Sequence, residues 1–150
     1  MSGGGRYNQM VVHGAFQPRK LAFEKVTSDT TLSPTDSGKV IFLGANGVDV
    51  TLPSTPEAGL NYKIILVEDY DTAVCTVTIN GSGEFFAGTI SSATHDDTAD
   101  SAIFNGSSHD VITFSSTSVQ GDYVDIICDG SIWCVSGMAT VVAGIGASTS

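Results

Sequence analysis

Side chains able to act as nucleophile, base and acid occur together in one short stretch, GSSHD (residues 106–110). A catalytic triad is assembled from residues that converge in space from separate elements, so neighbours on one loop do not make a triad. The motifs G-x-S-x-G, P-loop and H-E-x-x-H do not occur in the chain. Gly144-Ile145-Gly146 lacks the third glycine and the following helix of a dinucleotide site. We therefore predict no catalytic residues, no cofactor and no enzymatic activity.

Two acidic stretches and three cysteines carry side chains of the kinds that bind metal ions. EDYD (68–71) and HDDTAD (95–100) offer several oxygens, as Ca²⁺ requires, but neither has the spacing of a calcium loop. Cys75, Cys128 and Cys134 lack the CxxC spacing of a zinc site. Their odd number also argues against a disulfide framework. We predict no metal site and three free thiols that serve as small buried hydrophobic residues.

Length and composition indicate one folded domain whose charge is unevenly distributed. The 150 residues are 41% apolar and only 15% charged, which is enough apolar material for a hydrophobic core. The net charge is −10, yet residues 1–26 carry +3 and the remainder −13. An acidic body argues against a nucleic-acid partner, because phosphates require a basic surface. No apolar run reaches the length of a membrane helix or has the form of a signal peptide, so we expect synthesis and retention in a reducing cytoplasm and no membrane partner.

The elements that would position any functional group are almost all strands. KVIFLGANGVDVTLP contains Asn46-Gly47, a pair typical of a two-residue type I′ hairpin turn. Such a hairpin would pair Ala45 with Val48, Leu43 with Val50 and Ile41 with Leu52, all on one apolar face. A second hairpin at Asp129-Gly130 would pair Cys128 with Ser131, Ile126 with Trp133 and Asp125 with Cys134. That register places Cys128 and Cys134 on opposite faces and Trp133 in the core.

Further strands are predicted in NYKIILVED, AVCTVTI (73–79), GEFFAGTI, VITFSST (111–117) and GDYVDIICDGSIWCVSG (121–137), with one short strand in the polar segment 91–110. No stretch has a helical period. The prediction is an all-β protein, a single antiparallel β-sandwich or jelly-roll-like domain with an extended N-terminal arm. The arm covers residues 1–30, the body residues 31–142 and a flexible C-terminal tail residues 143–150.

The arm combines apolar and cationic side chains, which disordered tails usually lack. It keeps neither a helical nor a strand period, so we predict that it docks onto an acidic surface or a neighbouring copy. A solvated, disordered N-terminus is the alternative. The candidate partner-binding residues are Arg6, Met10, Val12, Phe16, Arg19, Lys20, Leu21, Phe23 and Lys25.

Residues 31–137 resemble a family of tailed-phage head decoration, or cement, proteins. The resemblance rests on TLSPTDSGKVIFLGANGVDVTLPSTPEAGLNYKIILVED and GDYVDIICDGSIWCVSG. Four features occur in the same order along the chain. They are a Ser-Gly pair before an apolar hairpin, a TLP-xx-P-xx-G-xx-aromatic segment, a G-D-aromatic-V strand and a D-G turn followed by an aromatic residue and V-S-G. The resemblance implies a β domain that binds the major capsid protein on the outer surface of the virion head, commonly as a homotrimer. It implies no catalytic residues.

Two other functions remain open. The same domain could sit in a tail fibre or tail tip and bind a host glycan through Tyr70, Tyr123, Asn105 and Asp110. It could also be a subunit of a non-viral coat, or an enzyme whose residues converge from distant loops.

Overall fold

The computed structural model describes residues 20–68, 73–94 and 101–150. Within these ranges the chain forms strands and one short 3-10 helix, Pro34–Asp36. The strands are β1 (Phe23–Val26), β2 (Thr30–Thr31), β3 (Val40–Leu43), β4 (Asp49–Thr51), β5 (Asn61–Leu66), β6 (Cys75–Thr78), β7 (Phe86–Ser92), β8 (Ser101–Asn105), β9 (Val111–Phe114), β10 (Tyr123–Cys128), β11 (Trp133–Ala139) and β12 (Ile145–Ser148). None of the described residues belongs to a helix that is long and apolar enough to span a bilayer.

The strands form two sheets that pack face to face. The large sheet has the order β1-β3-β5-β10-β11-β7-β8, and the small sheet has the order β12-β9-β6-β4-β2. Their inner faces share one apolar cluster, to which the large sheet contributes Ile64 and Trp133 and the small sheet Val77 and Phe114. The predicted all-β, sandwich-like domain is confirmed. Both sheets are mixed, however, so the prediction of antiparallel pairing throughout was wrong.

Parallel pairing arises because the chain alternates between the sheets. The odd-numbered strands β1, β3 and β5 lie side by side and parallel in the large sheet. The even-numbered strands β2, β4 and β6 do the same in the small sheet. Each pass through the small sheet returns the chain to the large sheet in its original direction, which is the crossover that parallel neighbours need. Antiparallel pairing enters where β10 joins β5 and where β9 joins β6.

The hairpin predicted at Asn46-Gly47 does not form. β3 pairs with β1 and β5, whereas β4 pairs with β2 and β6 in the other sheet. Among the described residues near this turn only Gly47 has a positive φ, of 74°, although a type I′ turn needs it at both central positions. The turn therefore carries the chain from one sheet to the other. The predicted burial was still correct, because both strands direct their apolar residues into the core: Ile41, Leu43, Val50 and Leu52.

The second predicted hairpin exists, with its register shifted by two residues. Cys128 lies opposite Trp133 and not opposite Ser131, which leaves a four-residue loop. The Asp129 carboxylate accepts hydrogen bonds from the N–H groups of Ser131 (2.8 Å) and Ile132 (2.7 Å), and these bonds lower the pKa of Asp129. The four-residue loop, which the Asp129 side chain closes, therefore forms in place of the two-residue turn.

A shift of two residues leaves every side chain on its predicted face. Trp133 is fully buried, as expected of a core residue. Cys128 is buried and Cys134 is exposed, so the two thiols lie on opposite faces and all three cysteines are free. The expectation that every cysteine is buried was wrong for Cys134.

The predicted domain boundaries need correction at both ends. β1 lies inside the predicted arm of residues 1–30, yet it pairs with β3 and buries Val26 in the core. β12 lies inside the predicted tail of residues 143–150, yet it pairs with β9 and buries Ile145. The short apolar segments at both ends therefore complete the sheets.

Asp122 is a buried carboxylate that ties three segments together. Its side chain is 2% exposed and accepts hydrogen bonds from the Thr140 N–H (2.7 Å), the Thr140 hydroxyl (2.7 Å) and the Val119 N–H (3.0 Å). Its backbone carbonyl accepts a bond from the Leu66 N–H (2.9 Å). A buried charge is tolerated only when it is hydrogen-bonded, and this one is. The aspartate of the G-D-aromatic-V segment thus joins the end of β5, the β9–β10 connection and the end of β11.

Candidate interaction surface

The outward-pointing residues of the large sheet form one continuous surface, which we call the outer face. Side chains alternate along each strand, and the strand registers align the outward ones in rows. The central row is Phe23, Val40, Lys63, Asp125, Ser136, Thr89 and Ile103. A flanking row is Lys25, Phe42, Ile65, Tyr123, Met138 and Ser91. The other flanking row is Asn61, Ile127, Cys134, Ala87 and Asn105.

Large apolar side chains that remain exposed are concentrated on this face. Ile127 is 52% exposed, Met138 41%, Ile103 64% and Phe23 65%, and all four belong to the rows. Single exposed apolar residues are normal, and these four share the face with polar and charged residues of the same rows. Their occurrence on one face makes the outer face the candidate interaction surface. Among the described residues the large apolar side chain of comparable exposure away from this face is Val74, at 43%.

A groove of about 460 Å³ runs across one end of the outer face. It starts beside Leu21, which precedes β1 and is 74% exposed, and passes Val40 on β3 and Lys63 on β5. It then reaches Ile127 on β10 and Cys134 on β11. The groove therefore crosses the strands and does not follow them.

Two lysines near the groove are each neutralised by carboxylates. Lys63 donates to both Asp125 oxygens (3.2 and 3.0 Å), and its ammonium lies 4.0 Å from the centre of the Tyr123 ring. Lys39 donates to Asp36 (2.6 Å) and to Glu24 (3.3 Å). Each of these two ammonium groups thus faces at least one carboxylate, so neither lysine presents an uncompensated positive charge.

Lys39, Asp36 and Glu24 form a cluster that is held together by hydrogen bonds. Hydrogen bonds from Lys39 and then from Ser33 lower the pKa of Asp36 to about 2. The same contact with Asp36, followed by the one with Glu24, raises the pKa of Lys39. Asp36 also accepts from the Ser33 N–H at 2.8 Å and so closes the start of the 3-10 helix. Asp36 and Lys39 therefore form a charged, hydrogen-bonded pair beside the groove at neutral pH.

The structure places part of the predicted arm at this surface. Lys20 is exposed, Leu21 lines the groove, Phe23 belongs to the central row, and Lys25 pairs with Glu68 at 2.9 Å. The Phe23 ring also packs against Phe42 on the neighbouring strand, with ring centres 5.8 Å apart. The remaining predicted arm residues lie outside the described residues: Arg6, Met10, Val12, Phe16 and Arg19.

Residues of the GSSHD stretch make local structural contacts. The Asn105 side-chain oxygen accepts from the N–H groups of Ser107 and Ser108 (both 3.0 Å). His109 Nδ1 accepts from the Asn105 N–H at 3.4 Å, while Asp110 accepts from the N–H (2.8 Å) and hydroxyl (2.5 Å) of Ser150. The histidine and the aspartate thus have separate partners, as expected of a structured polar loop.

The other polar candidates are only partly described. No three His, Cys, Asp or Glu side chains in the described part of the chain cluster as metal ligands would. Glu68 is engaged by Lys25, and the rest of both acidic stretches, residues 69–71 and 95–100, lies outside the described ranges. Of the candidate glycan-binding residues, Tyr123 lies on the outer face and Asn105 holds the β8–β9 loop. Asp110 binds Ser150, and Tyr70 lies outside the described residues.

Sequence reasoning missed the central residues of the outer face. Ile127 and Met138 belong to the β10–β11 hairpin, whereas Ile103 comes from β8, and the surface that joins all three appears only in the sheet order. One signal was available in YVDIIC, where Ile127 interrupts the alternation by placing an apolar residue among outward-facing positions.

Comparison of the chain with protein-family models, with curated proteins and with solved structures found no match.

Proposed function

We propose that this protein is a structural decoration protein of a tailed-phage head, bound to the major capsid protein on the outer surface of the shell and acting as a homo-oligomer, most simply a trimer. The observation that carries the proposal is the outer face, which exposes four large apolar side chains on a sandwich whose inner faces bury one apolar cluster. The resemblance of residues 31–137 to cement proteins points to the shell as the partner. No catalytic role, cofactor or nucleic acid enters this proposal.

The physical properties suit a protein that reinforces a lattice. An acidic body stays soluble while it is presented to solvent in many copies. A shell repeats its binding site, so modest contacts by each copy add up to tight attachment through high effective concentration. The rigid sandwich supplies fixed geometry, and the outer face together with the residues that precede it supplies the adhesive surface.

The decisive measurement is the copy number of the protein in purified virions of the phage that encodes it. A decoration protein should be present in hundreds of copies per particle and should co-sediment with shells when added back to particles that lack it. A complete failure of the purified protein to bind such shells would refute the proposal.

The alternative, a glycan-binding domain of a tail fibre or tail tip, is favoured by one observation. Tyr123 presents a partly exposed ring beside the Lys63–Asp125 pair on the outer face, and sugars stack on such rings. A handful of copies per virion, located at the tail, together with glycan binding that is lost in Tyr123→Ala, would support this alternative.

A further inference from the structure

We propose that the outer face is the receptor for the N-terminal segment, residues 1–19, of a second copy of this chain. Apolar side chains of that segment would lie in the groove between Leu21 and Cys134. This rests on the oligomeric part of the proposed function, and it assigns a site to the contact between copies. It does not depend on the identity of the shell.

The composition of the segment complements the surface. Residues 1–19 contain the apolar side chains Met10, Val11, Val12 and Phe16. They also contain Arg6 and Arg19 and no acidic residue, so the segment is cationic. The groove lining includes apolar side chains on both sides of the Lys63–Asp125 pair, and residues 27–150 as a whole carry a net charge of −13. Apolar and electrostatic matching therefore favour the same pairing.

The position and length of the segment allow it to reach a neighbour. The described chain begins at Lys20, one residue before Leu21 at the groove entrance. Nineteen extended residues span up to roughly 63 Å at about 3.3 Å each. Crossing the seven strands of the large sheet takes only about 29 Å at roughly 4.8 Å per strand spacing. The segment is thus long enough to leave its own body and still cross the outer face of another.

Two features favour a second copy over the same chain. The groove crosses the strands, so a segment that continues from the edge strand β1 would have to turn sharply at Lys20 to enter its own groove. Exchange of one element between identical chains is also a low-cost route to oligomers, because each copy supplies both partners of the contact.

Cys134 provides a natural probe, because it is exposed in the groove while Cys75 and Cys128 are buried. A copy carrying His13→Cys and Cys134→Ser is mixed with a differently tagged copy that keeps Cys134, and a short bismaleimide is added. We expect a cross-linked species that contains both tags. A matched control moves the body thiol to Val74→Cys, with Cys134→Ser, and should give at least tenfold less product.

The same cross-linking experiment shows whether the segment in the groove comes from a second copy or from the same chain. In a copy that carries both His13→Cys and Cys134, linkage within one chain at all protein concentrations, with no mixed product, would overturn the assignment to a second copy. The absence of either linkage would overturn the segment as occupant, and would leave another protein as the partner of the outer face.

Oligomer stability gives an independent readout on the full-length protein. Sedimentation velocity should show an oligomer whose dissociation constant rises at least tenfold in Ile127→Glu and is unchanged in Val74→Glu, which alters a side chain of similar exposure elsewhere. Removal of residues 1–19, which leaves every described residue intact, should cause the same loss. A wild-type protein that is monomeric at all concentrations but still binds shells would overturn this inference together with the oligomeric part of the proposed function, and would leave shell binding standing.

Discussion

Replacement of Asp122 by alanine tests whether the buried carboxylate organises this fold. The change removes the common acceptor of three hydrogen bonds, two from Thr140 and one from Val119. The Thr140 hydroxyl can rotate towards another acceptor, but the two backbone N–H groups cannot move without shifting the chain. An unsatisfied buried donor costs about 1–3 kcal/mol, so the expected loss in the free energy of unfolding is about 2–6 kcal/mol. That is a large part of the roughly 5–15 kcal/mol typical of a domain.

The assay is urea denaturation at neutral pH, followed by tryptophan fluorescence, because Trp133 is fully buried in the same sheet. Asp122→Asn should lose less than Asp122→Ala, since its carbonyl oxygen can still accept from Thr140 while its amide faces the Val119 N–H. Asp125→Ala is the matched control: it breaks a partly exposed ion pair with Lys63, which is worth at most about 1 kcal/mol. Equal stability losses in Asp122→Ala and Asp125→Ala would refute the reasoning.

Three further outcomes are expected. Asp36→Asn should lower the free energy of unfolding by about 1 kcal/mol at neutral pH. Because the bond with Lys39 lowers the pKa of Asp36 from 3.8 to about 2, this contribution is present above pH 3.8 and is lost as the pH falls through 2. The stabilities of the two proteins, measured by acid titration, should therefore converge near pH 2. Thiol titration should count one reactive group in the folded protein, Cys134, and three after unfolding without reductant; a total of one would reveal a disulfide. At a protein concentration low enough for every variant to be monomeric, removal of residues 1–19 should leave the melting temperature unchanged, because no described residue is lost. Removal of residues 1–26 should lower it because β1 is lost, and equal melting temperatures for the two truncated proteins would show that β1 adds nothing.

Strand faces were predictable, whereas strand partners were not. The segments around Asn46-Gly47 have the alternation and the turn residues of a hairpin, and their apolar side chains are indeed all buried. Two antiparallel strands of one sheet and two strands that face each other across a sandwich bury the same residues. Alternation therefore cannot distinguish the two arrangements. In the structure Asn46 does not adopt the positive φ that a type I′ hairpin needs, and the chain crosses to the other sheet.

Loop chemistry explains the second difference. Asp129-Gly130 is a turn in both the prediction and the structure, but the Asp129 side chain captures two backbone N–H groups and widens the loop by two residues. Because side chains repeat every two residues, the predicted faces of Cys128 and Trp133 were preserved.

The amino-acid sequence by itself determined the all-β fold class, the positions of most strands and the side of each strand that is buried. It also determined the cationic character of the N-terminal residues. These properties follow from local patterns, namely a period of two, turn-forming residues and charge. Only the tertiary structure decided which strands are neighbours, that β1 and β12 belong to the sheets, and that Ile127, Met138 and Ile103 share one surface. The physical reason is that sheet order depends on how the connections cross between two layers, and this depends on contacts between residues far apart in the chain.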